Sequence, residues 1–194
     1  MNNNGRAMRG GIKHQDSISS ISKATGWGSN SPDFDKIADD GSGSTGVNAN
    51  FFDGSYLEEV YSDNQMWHGI VQGRDMPFHY HWAPTTNPGA GEKIVLGVEY
   101  IIWPIGTVLD TSGTTLVKTT IQVESYTAWE HVLSEIVDID LSTNLGVSTT
   151  ILYRFFRDAG DANDTYGHDI VLIYGDGHMP LFDRGSINEY SVEV

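Results

Sequence analysis

The chain has 194 residues and a formal net charge of −15, with 39% hydrophobic and 19% charged residues, 22 glycines and no cysteine. That length supports one complete domain plus an appendage, and the glycine-rich, aromatic composition favours short strands joined by turns over a helical bundle. Lack of cysteine excludes disulfides, thiolate metal sites and cysteine nucleophiles, while the acidic balance repels phosphate and argues against nucleic-acid binding by the globular part.

The opening stretch MNNNGRAMRGGIKHQ carries no apolar run that would serve a signal peptide. Residues 1–23 hold Arg6, Arg9, Lys13 and Lys23 against Asp16, a net of +3 that leaves −18 on the rest of the chain. Up to residue 46 the sequence is rich in Asn, Gly and Ser, with turn signals at Gly26, Pro32, Gly41, Gly43 and Gly46. Residues 1–46 are therefore expected to form an extended N-terminal arm that cannot bury enough apolar surface to order itself. Trp27, Phe34 and Ile37 are its candidate anchors on a neighbour.

From residue 47 the apolar pattern takes a period of two, and 47–194 is expected to fold as an all-β, antiparallel β-sandwich of jelly-roll type. The alternation predicts strands over 47–53, 56–61, 65–72, 76–82, 93–103, 115–124, 148–158, 169–174 and 187–194. Both faces of 93–103 are largely apolar, which predicts a central strand buried on two sides and in contact with another subunit. Its continuation, 100–109, is broken by Pro104 and Gly106; a membrane span needs about 20 apolar residues, so no membrane partner is expected. The stretch 129–137 fits strand alternation and, through Trp129, Val132, Leu133, Ile136 and Val137, also helical spacing; its β-branched residues favour strand. The connections 85–92 and 159–168 are too long for tight hairpins.

Chemistry-bearing residues are few. In FHYHW, alternation places His79 and His81 on one face about 7 Å apart. Such a pair either hydrogen-bonds loop backbone or stacks at an interface, or chelates zinc or iron when further ligands arrive; His68 and His178 are the histidine donors in view. The first reading is the one adopted, with no metal, cofactor or catalytic residue assigned. Cupin enzymes follow their HxH with a glutamate three or four residues on; here Pro84 and Thr85 stand there and the first acid is Glu92. Asp158, Asp161, Asn163 and Asp164 crowd one loop, which suits calcium or, as the spacing favours, simple turn formation. Arg154 and Arg157, three apart on a strand, face opposite sides, and one of them is expected to tie that loop down. Glu58, Glu59 and Glu99 carry no positive sign of glycoside chemistry, and GxSxG, Walker, HExxH and GxGxxG patterns are absent from the sequence.

The succession FHYHWAP, VLGVEYIIW, ILYRFFRDAGDANDTYGHD and GDGHMPLFDRGSINEY resembles a family of virion structural proteins of tailed bacteriophages. The matching positions are His79, His81 and Trp82; Glu99 and Tyr100; Arg154, Arg157 and Asp158; Asp164, Thr165 and Tyr166; Asp176 and His178; Gly185 and Ser186. GSGSTGVNANFFD resembles the family's lead-in, so the resemblance spans about 41–190. Members often place a Pro-His pair ahead of the HxHW strand; Trp67-His68 stands there in this chain, and no metal site is carried over. The resemblance implies a β-sandwich body on a virion, made in the host cytoplasm and assembled as a homotrimer. A capsid decoration or cement protein docked on the major capsid protein through its arm is the leading expectation. A tail fibre, adaptor or receptor-binding module is the alternative, and a cupin-like or carbohydrate-active enzyme the remote one. Trp103 joins the residues above as an interface candidate.

Overall fold

A sheet with apolar side chains on alternate positions buries one face, and two such sheets satisfy each other. The computed structural model describes residues 13–20, 30–41, 46–66, 70–71, 73–141 and 148–181. The strands are β1 (Lys13–Ser20), β2 (Asp33–Ala38), β3 (Val47–Phe52), β4 (Leu57–Gln65), β5 (Met76–Pro84), β6 (Lys93–Trp103), β7 (Thr115–Gln122), β8 (Val132–Ile139), β9 (Thr150–Asp158) and β10 (Ile170–Leu181). They form two antiparallel sheets, β2-β3-β10-β5-β8 with β1 also on β10, and β4-β9-β6-β7. The protein is a β-sandwich. No helix of the described residues is long and apolar enough to cross a membrane.

Several elements differ from the sequence reading. Two stretches of the segment before residue 47 are strands: β1 pairs with the second half of β10, and β2 with β3. Their sequences lack a strong apolar period because they add to sheet edges, where ladder hydrogen bonds supply the order. The break expected between 56–61 and 65–72 is not found at 62–64, and most of the second segment, 67–69 and 72, lies outside the described residues. Ser62, Asp63 and Asn64, which look like a turn, pair with Tyr153, Leu152 and Ile151, so β4 runs unbroken to Gln65. The ambiguous 129–137 resolves as strand β8, with Trp129 in a left-handed turn (φ 65°) before it. β10 continues past Tyr174 through Gly175, Asp176 and Gly177 to Leu181. The expected strand at 187–194 lies outside the described residues.

The space between the sheets is filled by rings. Phe78 of β5 stacks on Tyr153 and Phe155 of β9 at centroid distances of 5.7 and 5.8 Å, and Tyr80 meets Phe155 edge-on at 5.6 Å. Trp82, Ile94, Leu96, Val98, Ile170 and Leu172 complete the layer. Each large side chain buried in this way contributes about 1.5 to 3 kcal/mol. Tyr80 Oη donates to the Gly97 carbonyl (2.8 Å) and Trp82 Nε1 to Ser134 Oγ (3.0 Å), so these polar tips keep a partner inside the layer. Strand β6 is buried on both sides over Ile94–Val98, but Ile101 and Ile102 are half-buried and Trp103 is exposed.

One end of the sandwich is closed by Arg157, whose side chain is completely buried. Its Nε and Nη2 donate to the two oxygens of Asp164 at 3.1 and 2.9 Å. Nη1 donates to the carbonyls of His168 (2.6 Å) and Phe52 (3.3 Å), and Nη2 to that of Tyr166. All five guanidinium donors are thereby used. Arg157 is thus the arginine that ties down the Asp-rich loop. Within that loop Asp161 caps the Asn163 amide (3.0 Å), and Lys118 pairs with Asp158 and Asp161. These acids make turns and ion pairs.

Removing the guanidinium leaves Asp164 charged and buried without its partner, so Arg157→Ala is expected to cost about 3 to 5 kcal/mol in denaturant unfolding. Arg157→Lys keeps the charge with three donors and is expected to recover only part of that loss. A second prediction concerns Glu58, beside Asp53, Asp33 and Asp169. Burial pushes its carboxyl up to about 7, against the lowering effect of the Asp53 amide that donates to it. Because the folded state holds this proton more tightly than the unfolded chain, the associated stability is complete below about pH 4.5 and is lost as pH rises through 7. Glu58→Gln, whose amide oxygen still accepts from Asp53, is expected to raise Tm by about 2 to 4 °C at pH 8, on the order of 1 kcal/mol, and to leave it unchanged at pH 4.

Candidate functional site

Strand alternation sorts β5 and β10 into two faces. Phe78, Tyr80 and Trp82 enter the core, so His79 and His81 project from the outer face of the sheet. On β10, Gly175 and Gly177 face inward and Tyr174, Asp176 and His178 outward. The glycines are required for close approach: a Cβ on Gly175 would lie 2.6 Å from Phe78 Cζ, and one on Gly177 2.6 Å from Met76 Sδ. Register places His79 opposite Asp176 and His81 opposite Tyr174. On the other side of β10, Asp16 of β1 lies opposite His178.

The side chains converge. His79 Nε2 is 3.1 Å from His81 Nε2 and 3.4 Å from Asp176 Oδ2. His178 Nε2 lies 3.4 Å from Asp16 Oδ1 and 3.9 Å from Asp176 Oδ2, so Asp176 joins the two halves of the cluster. His81 Nδ1 is 2.8 Å from His131 Nε2, and the His81 ring stacks on Tyr174 at 4.2 Å. His79 and Asp176 are buried, whereas His178 keeps 39% of its side chain exposed. Burial lowers the basicity of His79 and takes His81 down to about 4, with the neighbouring imidazoles adding to the effect on His81. Burial and the Asp16 charge raise the Asp176 carboxyl, against the pull of His79 and His178. Burial thus disfavours the protonated forms of His79 and His81 and the ionised form of the Asp176 carboxyl beside them.

The sequence reading gave the HxH pair to loop backbone or to stacking at an interface. The two rings meet each other, His131, Tyr174 and Asp176. Of the other residues singled out by sequence, Trp82, Tyr100, Arg157 and Asp164 are buried and build the interior, not an exposed contact surface. Arg154 lies on the outer face of the second sheet, 2.8 Å from Glu59 and 3.0 Å from Glu99, with its guanidinium over the Phe156 ring at 4.7 Å. Glu58 is on the opposite face of its strand from Glu59, so the three glutamates do not share a site. Phe34 and Trp103 are exposed, while Trp27 and His68 lie outside the described residues.

Asp16, His131 and the ligand potential of Asp176 escaped the sequence reading. The available signal was the DxH of β10, which repeats the HxH spacing of β5 and so places two donors on one face. Nothing local ties His131 or Asp16 to them. No family model matches the chain, and no curated protein matches it.

Proposed function

We propose that the chain is a structural protein of a tailed-bacteriophage virion, a capsid decoration protein that performs no chemistry and assembles as a homotrimer. The resemblance in its motifs supplies the particle. The motifs also have coherent structural work. Arg157, Asp164 and Tyr166 form the knot that closes the sandwich; Arg154 and Glu99 share one outer-face ion network; His79, His81, Asp176 and His178 form one cluster. A jelly-roll body is supported by the strand orders β3-β10-β5-β8 and β4-β9-β6-β7, since the chain passes from one sheet to the other at every step from β3 to β10 except β6 to β7.

The observation that carries the assembly reading is the apolar end of β6 and its loop to β7. Trp103 (39% exposed), Ile105 (49%), Val108 (96%) and Leu116 (52%) leave large hydrophobic side chains in water there. Large apolar side chains left in water near one another mark a contact region; Trp103 and Val108 line one depression, and Trp103 ends the strand whose first half is buried. A second copy of the chain is the occupant that matches the expected trimer. Docking on the major capsid protein is assigned to the segment before residue 47. In this fold its β2 lies at the edge of a sheet and presents Phe34, 58% exposed.

Light scattering on the purified chain at micromolar concentration is expected to give a trimer, and Trp103→Asp combined with Val108→Asp a folded monomer. A wild-type monomer would end the trimer reading. Gold-labelled antibody on intact particles is expected to spread over the head. Label confined to the tail or one vertex would move the chain to a fibre, adaptor or receptor-binding role, and unlabelled particles would remove it from the virion.

A further inference from the structure

We propose that His79, His81 and Asp176 bind one divalent transition-metal ion, with His178 and Asp16 extending the site across to β1. The inference is independent of any virion role. It starts from distance. Donor atoms bound at about 2.0 to 2.1 Å stand roughly 3.3 to 3.4 Å apart on a tetrahedral ion and about 3.0 Å apart when adjacent on an octahedral one. The spacings of 3.1 Å between the two Nε2 atoms and 3.4 Å from His79 Nε2 to Asp176 Oδ2 fall in that interval. All three donor atoms lie within 4.8 Å of one another, and the same holds for Asp16, Asp176 and His178.

A hydrogen bond between the imidazoles would account for the first spacing alone. It leaves Asp176 unexplained. That residue is 4% exposed; the Ser17 amide donates to its carboxyl, yet its Oδ1 is buried without a hydrogen-bond partner of good geometry. A buried acceptor in this condition is costly, and a cation beside it removes the cost. Two imidazoles with a carboxylate suit zinc, iron or nickel, whereas magnesium and calcium prefer an all-oxygen shell. His131, through its contact with His81 Nδ1, holds the ring so that Nε2 faces His79.

The three donors come from β5 and β10, strands distant in sequence, so a bound ion ties these together, and Asp16 and His178 carry the cluster on to β1. The ion would thus fasten the N-terminal strand to the sandwich, where side-chain hydrogen bonds from Asn64 to Ser17 and Ser19 already engage its inner face.

The test uses the full chain, freed of metal by a chelator and titrated with Zn²⁺ by calorimetry and thermal unfolding. One ion per chain is expected, with Kd in the micromolar range or tighter and a higher Tm in excess zinc. His79→Gln and His81→Gln should each weaken zinc by more than about 100-fold, and His131→Ala by about 10- to 100-fold. His168→Ala, at the Arg157 end of the sandwich, should bind as wild type. If a variant fails to fold, X-ray absorption of the zinc-loaded wild-type chain decides: a shell of nitrogen and oxygen with imidazole scattering at about 2.0 to 2.1 Å supports the site. No saturable zinc binding, or unchanged affinity in folded His79→Gln and His81→Gln, overturns it.

Discussion

A guanidinium with no exposed surface is the constraint from which the rest of this sandwich follows. Arg157 stands near the end of β9, between two sheets whose interior is otherwise apolar, and such a charge is tolerated only when paired and fully hydrogen-bonded. Asp164 supplies the charge and both oxygens. The carbonyls of Phe52, Tyr166 and His168 supply the remaining acceptors. Each partner belongs to a different piece of the end of the molecule, so satisfying one side chain fixes the exit of β3, the loop after β9 and the approach to β10. Asp164 also accepts from the Val95 amide (2.9 Å), which brings the start of β6 into the same knot. Loop 159–168 is long, yet it is held as firmly as a strand.

With that end closed, ring size governs the middle. Stacked Phe78, Tyr153 and Phe155 need room that an ordinary side chain on β10 would occupy; Gly175 provides it, and Gly177 does the same for Met76. The second sheet uses the same device. A Cβ on Gly97 would fall 2.1 Å from the Phe156 ring, so the glycine floor allows that ring to lie flat on the outer face beneath Arg154. Glycine in a strand interior weakens the strand, and here the loss is offset by an aromatic ring laid over it. Placing the glycines of β10 inward leaves its outward positions to Tyr174, Asp176 and His178. The packing of the core and the composition of the outer cluster are therefore one sequence pattern seen from two sides.

What could be read from sequence was what alternation encodes. FHYHW announces its strand by aromatic rings at every second position, and KIVLGVEYIIW by an apolar, β-branched run on both faces. The loop-tying arginine was legible too, since an arginine three residues from another must face the other way. Legibility failed where order comes from a distant partner. Ser62, Asp63 and Asn64 look like a turn and are a strand because β9 pairs with them. β1 has almost no apolar period of its own and is ordered by β10. The histidine cluster failed for the same reason. HxH gives two donors, but the third and fourth arrive through a register between strands almost a hundred residues apart, with Asp16 further still.

These constraints also decide where the chain can meet anything else. The space between the sheets is taken by stacked rings, and one end is closed by the Arg157 knot. On the outer face of the second sheet, Arg154 is held between Glu59 and Glu99, with Tyr61 donating to Glu59 and Thr114 to Glu99. A face whose charges already answer one another gains little from a partner. Besides the β2 edge that exposes Phe34, two surfaces of the described residues are left with something unmet. The β6–β7 end exposes large apolar side chains, which favours a protein surface of the same character. The β5–β10 face gathers imidazoles around a carboxylate with a buried oxygen that lacks a hydrogen-bond partner, which favours a cation. Their chemistries are unlike, and they lie on different sheets, so occupation of one need not obstruct the other. A trimer formed through the first would leave the second free to hold β1 in place.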